Sequence, residues 1–250
     1  MKKLAKKFLK FIFVSLFWIL VWLILARLAD ADYLLPTPFQ VFGAWAKLAG
    51  KASFWLSALN SMLMICSGFI IGSLLGCLCA VVCHYSKFLS SLFSPLSSII
   101  KATPIASFIL LALVWMNRSL VPIFTSILIV MPLVWKNVAS GIDSTDKQLL
   151  EMADCFKMKT GKKLLHIYLP AIKPHLRSAL ITGLGMAWKA GIAAEIICNP
   201  KNTIGYSLSR AKINFETPEL FAWTLTVILL SFLLERLIVL ILNRGQSKND

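Results

Sequence analysis

Apolar residues run along the chain in six long stretches, separated by short polar intervals: Phe8–Leu28, Phe54–Val82, Leu92–Met116, Leu120–Val138, Ser178–Cys198 and Phe221–Leu242. The hydrocarbon core of a bilayer is crossed by about 20 residues of helix, and each stretch has about that length or more. Helix is the form expected, because lipid offers backbone N–H and C=O groups no partner. The pattern therefore predicts an all-α membrane protein, a six-helix transmembrane bundle. The second stretch is longer than a crossing requires, so its first turns are expected in the interface. The third is interrupted by Lys101 and Pro104.

The polar intervals are unequal. After the first stretch comes a mixed segment with Asp30, Asp32 and the turn-like Leu35-Pro36-Thr37-Pro38. The longest hydrophilic interval, Gly141 to Arg177, precedes the fifth stretch. It is too short for an enzyme domain and too charged to cross a bilayer. A second polar interval, Asn199 to Glu219, separates the fifth and sixth stretches.

Composition agrees with this division. Hydrophobic residues make up 58% of the chain and the mean hydropathy is +0.77, above the 45–50% apolar content usual for soluble domains. The net charge of +15 would suggest a nucleic-acid partner in a soluble protein. Here the basic residues sit in the gaps between apolar runs, which is a topology signal, and no nucleic-acid partner is expected. With the N-terminus inside, 16 basic residues fall on cytoplasmic segments and 7 on outer ones. Lys2, Lys3, Lys6, Lys7 and Lys10, together with seven in the Gly141–Arg177 loop, dominate the count. Both termini and that loop are therefore expected in the cytoplasm. The first stretch is too long for a signal-peptide core and no small-residue cleavage site follows it, so it is read as a retained anchor.

Candidate chemistry is sparse. Gly68, Gly72 and Gly76 recur once per turn on one face of the second stretch, the spacing that lets helix backbones approach closely in lipid. The six cysteines form no C-x-x-C pair and read as small packing residues. His84, His166 and His175 form no H-E-x-x-H or i,i+4 pair, so no metal site is expected. No G-x-x-x-x-G-K-[ST] phosphate loop is present. Charged residues inside spans cost about 2.5–3.5 kcal/mol at the bilayer centre and usually face a bundle interior or water. Lys101, Lys189 and Glu195 are the candidates for a translocation pathway, with Trp115 and Trp188 as aromatic candidates for substrate contact.

The long loop carries Glu151-Met152-Ala153, followed by Leu169-Pro170. This resembles the EAA motif of ABC importer permeases, in which Glu-Ala-Ala is followed by a Gly and then by a Leu-Pro pair before the penultimate span. Leu35-Pro36-Thr37-Pro38, Gly68-Phe69, Pro104, Ala187-Trp188…Ala193-Ala194-Glu195 and Ile204-Gly205-Tyr206 are similar to the patterns of one branch, the nitrate, sulfonate, taurine and pyrimidine-precursor permeases. Three positions depart from those patterns. Met152 replaces the motif's first Ala. Lys157 stands where the Gly is expected, and Thr160-Gly161 could displace the turn by a few residues. Met64 stands near the place of a frequent Arg.

The resemblance implies the type I ABC importer permease fold with short cytoplasmic coupling helices. Residues 1–34 would form the basic segment and first helix, 35–243 the permease core with coupling loop 141–177, and 244–250 a polar tail. It also implies that Glu151, Met152, Ala153, Phe156, Lys157, Gly161 and Pro170 form an ATPase-coupling surface, with Met152 and Phe156 on one helical face as apolar anchors. The chain would bind no cofactor itself, ATP and Mg being used by separate ABC ATPase subunits. A second permease copy in a homodimer and an extracytoplasmic substrate-binding protein would complete an importer in the bacterial inner membrane, carrying a small solute of nitrate, sulfonate or taurine type. The competing expectation is a secondary carrier or an integral membrane enzyme, neither driven by an ATPase partner.

Overall fold

The computed structural model describes residues 2–29 and 34–244. Among them all regular structure is helical: α1 (Lys2–Ala29), α2 (Pro38–Ala49), α3 (Ala52–Tyr85), α4 (Lys87–Ala102), α5 (Ile105–Trp115), α6 (Val121–Asp143), α7 (Lys147–Cys155), α8 (Thr160–Lys163), α9 (Leu169–Cys198), α10 (Ile204–Ile213) and α11 (Thr217–Arg244). A single π turn, Leu164–Tyr168, joins α8 to α9. Five helices are long and apolar enough to cross a membrane, and the bent pair α4–α5 makes a sixth candidate.

The centre of the bundle is the packing of α3 against α6. A Cβ on Gly68 would lie 2.5 Å from the Ile123 carbonyl oxygen, one on Gly72 3.0 Å from Ile127 Cα, and one on Gly76 2.7 Å from the Met131 carbonyl oxygen. The contacts ascend together along both helices, so α3 and α6 run parallel. Absence of side chains at these three positions lets the backbones touch. Helix α9 runs the other way: Gly191 meets Ile65 and Ser126, Gly183 meets Phe69 and Val130, and Ile172 near its start meets Gly141 near the end of α6.

Parallel neighbours fix the rest of the topology. The chain leaves α3 at one end and enters α6 at the other, so residues 86–120 must travel the length of the bundle. They do so as α4 and α5, bent by 105°. The third stretch is thus two helices, broken at the interruption expected at Pro104. Pro104 has no N–H to continue α4, and the residue before a proline avoids the helical region. Thr103 accordingly sits extended at φ −81°, ψ 133°, its hydroxyl donating to the Ile99 carbonyl. Helix α5 then packs Ile109 and Ala112 against Val121, Ala194 and Cys198 at the far end.

Several hydroxyl groups inside the bundle are satisfied within their own helix, the economical solution in lipid. Ser73, Thr125 and Ser126 donate to carbonyls one turn back. The periphery is apolar and exposed: Phe13, Trp18, Phe232 and Ile241 are all more than half exposed, as residues facing lipid should be. Helix α1 attaches through Trp22, whose indole N–H donates to the Pro36 carbonyl at 3.1 Å and whose ring stacks on Phe221.

Helix α2 lies in the interval read only as turn-like. Its start is a capping box: Thr37 and Gln40 exchange side-chain and backbone hydrogen bonds, with Pro38 at the first helical position, where its missing N–H costs nothing. The Leu-Pro-Thr-Pro sequence is therefore a helix start. Trp45 on α2 donates to the Thr226 hydroxyl, tying α2 to α11.

Replacing Gly68 by Ala places a methyl against the Ile123 carbonyl and should destabilise the bundle by about 1–3 kcal/mol, seen as a lower unfolding temperature of the detergent-solubilised protein. Gly43, with no atom within 4 Å of its would-be Cβ, should tolerate the same change, and equal losses at the two positions would refute the packing account.

Candidate functional site

Helix α7 stands at the bundle end that also holds the start of α1 and the close of α11. Asp146 caps it, its carboxylate accepting from the Gln148 N–H at 2.8 Å. Ala153 is fully buried and seats the helix. Glu151 and Cys155 are exposed. Leu149, Met152 and Phe156, at helical spacing, leave an apolar stripe uncovered, with Phe156 78% exposed. A contiguous exposed apolar stripe is unusual on a short, otherwise charged helix.

The turn after α7 sits at Lys157, with φ 49°. The Met158 N–H donates to the Ala153 carbonyl and the Lys157 N–H to the Asp154 carbonyl, both at 2.9 Å. This is a Schellman helix end, which favours glycine at the left-handed position. Lysine occupies it at a cost of order 1–2 kcal/mol. The turn is not displaced to Thr160-Gly161: Gly161 lies within α8, and no described glycine has positive φ. Asp154 pairs with Lys163 across the turn, joining α7 to α8.

Helix α8 does not end before the fifth span. Through the π turn it continues into α9, so that Thr160–Cys198 forms one helical rod of 39 residues. The Leu169 N–H donates to the Leu164 carbonyl, five residues back. Pro170 follows immediately, exposed at the start of α9. A proline ring crowds the carbonyl four residues earlier, and the wider turn stands just where that crowding would fall. The fifth span, expected at Ser178, is thus the later part of a continuous helical rod that begins at Thr160, just after the α7 turn.

Further along α9, the pathway candidates separate. Lys189 is exposed, on the same face as Thr182 and Met186. Trp188 is buried at 1% exposure, and its indole N–H donates to the Val227 carbonyl at 3.1 Å; it locks α9 to α11 and does not face a path. Trp115, at the end of α5, is 80% exposed. The side chain of Lys101 lies outside the described residues.

Glu195 is fully buried, which removes it from the exposed face that carries Lys189. Its Oε2 accepts from the Ser61 hydroxyl at 2.8 Å and from the Gly205 N–H at 2.9 Å. Ser61 in turn accepts from the Ile204 N–H at 2.9 Å. One carboxylate and one hydroxyl thereby satisfy two free N–H groups at the start of α10, and the Thr203 hydroxyl takes a third, from Tyr206. A Cβ on Gly205 would lie 2.3 Å from Glu195 Cβ, so only glycine lets α10 press onto α9. The Ala194-Glu195 and Ile204-Gly205-Tyr206 patterns, read as separate signatures, form one brace.

Residues 72–246 match the family model of the binding-protein-dependent transport system inner membrane component. The chain belongs to this family. Its relatives include a probable ABC transporter permease protein of Haemophilus influenzae, 24% identical over 86% of this chain and 88% of that protein. A putative aliphatic sulfonates transport permease protein of Bacillus subtilis is 23% identical over 82% of this chain and 74% of that protein. A bicarbonate transport system permease protein of Synechococcus elongatus is 24% identical over 62% of this chain and 56% of that protein. A crystal structure of an amino acid ABC transporter superposes with a TM-score of 0.61 at 16% identity, covering 77% of this chain and 92% of that one, which shows a shared fold. The chain is an ABC transporter permease subunit, a multi-pass inner membrane protein of the type I fold.

For this permease, Glu195→Ala should orphan the Gly205 N–H and leave the Ser61 hydroxyl without its acceptor, at about 1–3 kcal/mol for each buried donor left unpaired. Hydrogen exchange should show α10 losing protection while α6 keeps its own. Glu195→Gln retains an acceptor and should keep most of that protection. Unchanged exchange in Glu195→Ala would show that the brace does not hold α10. Lys157→Gly should raise the unfolding temperature, because the left-handed strain of about 1–2 kcal/mol it relieves exceeds the roughly 0.5–1 kcal/mol of extra chain entropy glycine loses.

Proposed function

We propose that this permease is one half of a dimeric import pathway, driven through α7 and α8 by a separate ABC ATPase. The observation that carries the reading is the exposed Leu149, Met152 and Phe156 stripe at the foot of a helical rod that continues into the fifth span. Apolar side chains there gain nothing from water, and a partner groove would bury them. Glu151, beside them, is placed to meet a basic residue of that partner. ATP and Mg belong to the ATPase, and this chain binds no cofactor. Closure of the ATPase dimer would move the α7 turn, and the rod would carry the movement to α9.

Orientation follows from charge. The end bearing α7, the start of α1 and the close of α11 carries the larger share of lysine and arginine, which assigns it to the cytoplasm. The opposite end, with α2 and α10, then faces an extracytoplasmic substrate-binding protein. Lys189 supports a dimer. It lies nine residues, roughly 13 Å of helix, from the close of α9, and an exposed lysine at that depth is costly in lipid. A second copy enclosing a water-filled path would remove the cost. A lysine in such a path suits a small anion, and sulfonate and bicarbonate permeases stand among the relatives.

Phe156→Ala and Met152→Ala together should cut co-purification with the ATPase by at least about tenfold, the scale of losing an interface anchor of 1–2 kcal/mol or more, while leaving the permease folded. Retained ATPase binding in the double variant would refute docking at this stripe. In reconstituted vesicles Lys189→Met should lower uptake with ATPase binding intact, and unchanged uptake would remove Lys189 from the path.

A further inference from the structure

Helix α10 separates two unlike hollows. Tyr206, Ser207 and Arg210 line a polar cavity of about 370 Å³. Leu208, Ser209 and Lys212 instead line a groove of about 380 Å³ between α9 and α11. Its floor is apolar, with Ile192 and Ile196 one turn apart on α9 and Leu220 and Val227 two turns apart on α11. On the other side of α11 lies a second groove of about 420 Å³, between Trp22 of α1, Val41 and Phe42 of α2, and Phe221 and Ile228. Thr224 lines both grooves. It is exposed and forms the crest between them.

The floors are dry. The Thr224 hydroxyl donates to the Leu220 carbonyl at 2.9 Å, and the Trp22 indole N–H donates to the Pro36 carbonyl. No other side chain lining the second groove is polar, and a buried water is held only by several polar partners. Both grooves run along residues 220–228 of α11, roughly 12 Å of helix, which fits within one leaflet of a hydrocarbon core about 30 Å thick.

Polarity rises at one place only. Ser209 and Lys212, one turn apart in the second half of α10, stand at the mouth of the α9–α11 groove. Lys212 is exposed, and its ammonium meets no acidic side chain within ion-pair distance among the described residues. A basic mouth over an apolar floor is the profile of an amphiphile standing in the bilayer. Two grooves flanking one crest fit two chains. The second groove includes no residue of α9, whose exposed face is the one assigned to a second copy, so lipid is the material that reaches it.

We propose that α11 holds one phospholipid astride Thr224, with an acyl chain in each groove and the phosphate on Lys212 and Ser209. A compact ammonium suits a phosphate. A headgroup with net negative charge is preferred, because the ammonium of a zwitterionic headgroup would meet the same lysine. The lipid fastens α1 and α2 to the α9–α10 side of the bundle across α11. The site is complete within one chain and uses neither the α7 stripe nor Lys189, so this reading and the coupling to an ATPase can each fail alone.

Native mass spectrometry of the full-length permease, released from vesicles of phosphatidylglycerol and phosphatidylcholine in equal parts, tests the proposal. One phosphatidylglycerol per chain should survive detergent exchange, at least about tenfold above phosphatidylcholine, the scale of one charge-assisted contact. Lys212→Met should remove the preference, and Lys201→Met, outside both grooves, should keep it. Thr224→Trp places a bulky ring on the crest and should cut retention by a similar factor. Leu229→Trp, exposed elsewhere on α11, should leave retention unchanged. In the unaltered permease, a phosphatidylglycerol with a diazirine on each chain should label both grooves above the exposed Ile241. Equal retention of the two lipids, with Lys212→Met silent, would mark ordinary surrounding lipid and overturn the proposal. Lysophosphatidylglycerol retained as well as the two-chain lipid would overturn it too. So would a disulfide between copies carrying Ile196→Cys with no lipid retained, since a second copy would then fill the groove.

Discussion

Close contact between two parallel helices sets everything else in this permease. Because Gly68, Gly72 and Gly76 carry no side chain, α3 and α6 meet backbone to backbone, and in lipid such packing is a principal source of helix association. Parallel adjacency has a topological consequence. The intervening chain must recross, and it does so as the bent pair α4–α5. The number of crossings is then even, and the start of α1, the end of α11 and α7 share one end. An antiparallel contact would have left α7 at the opposite end from the N-terminus. The position of the candidate docking helix thus follows from three missing side chains.

At the other end the governing constraint is the hydrogen bond in a dry setting. The first N–H groups of α10 have no partner within the helix and are buried. Glu195 and Ser61 supply acceptors from α9 and α3. A neutral acceptor would satisfy the same donors, but a carboxylate is stronger at a helix start. Helix α10 is therefore held to the two central helices by polar contacts, and helix α7 at the opposite end by the buried methyl of Ala153 and the charge pair behind it. The ends are built from different forces, and a change at one does not loosen the other.

Much of this was legible in the sequence because the bilayer imposes a length. The spans α1, α3, α9 and α11 contain the predicted stretches within their bounds, and α6 begins one residue after the predicted Leu120. Where the reading departed, short polar residues were the reason. Thr37 and Gln40 start α2 with signals that were present but sat inside a mixed segment. The break in the third stretch fell at Pro104 as read, and only its 105° bend was unforeseen. Glu195 read as a charge exposed to a path, because its partners lie 134 residues away at Ser61 and 10 away at Gly205, and single-sequence periodicity carries no distance of that kind. Trp188 was ambiguous for the same reason, since its acceptor is a backbone carbonyl of α11. Lys157 was read as a poor occupant of the turn and takes the left-handed conformation nonetheless, because two hydrogen bonds and the Asp154–Lys163 pair fix the turn around it.

The continuity of α8 with α9 bears most directly on how a motor could act on this bundle. A hinge between handle and span would dissipate a push at the α7 turn locally. A helix interrupted only by one π turn has no such hinge: its hydrogen bonds continue with a five-residue step, and 29 residues separate Thr160 from Lys189, roughly 43 Å of helix. Displacement at the foot must appear as rotation or translation of the face that carries Lys189. That face is also free to move, because Thr182, Met186 and Lys189 are exposed while the opposite face, with Gly183, Ala187 and Gly191, is seated on α3 and α6. The small residues on the seated side offer a smooth track, and the brace at Glu195 obliges α10 to follow. In the proposed transporter, one stiff element would then couple the nucleotide-driven end, the pathway face and the mouth of the α9–α11 groove, and a single movement would change all three.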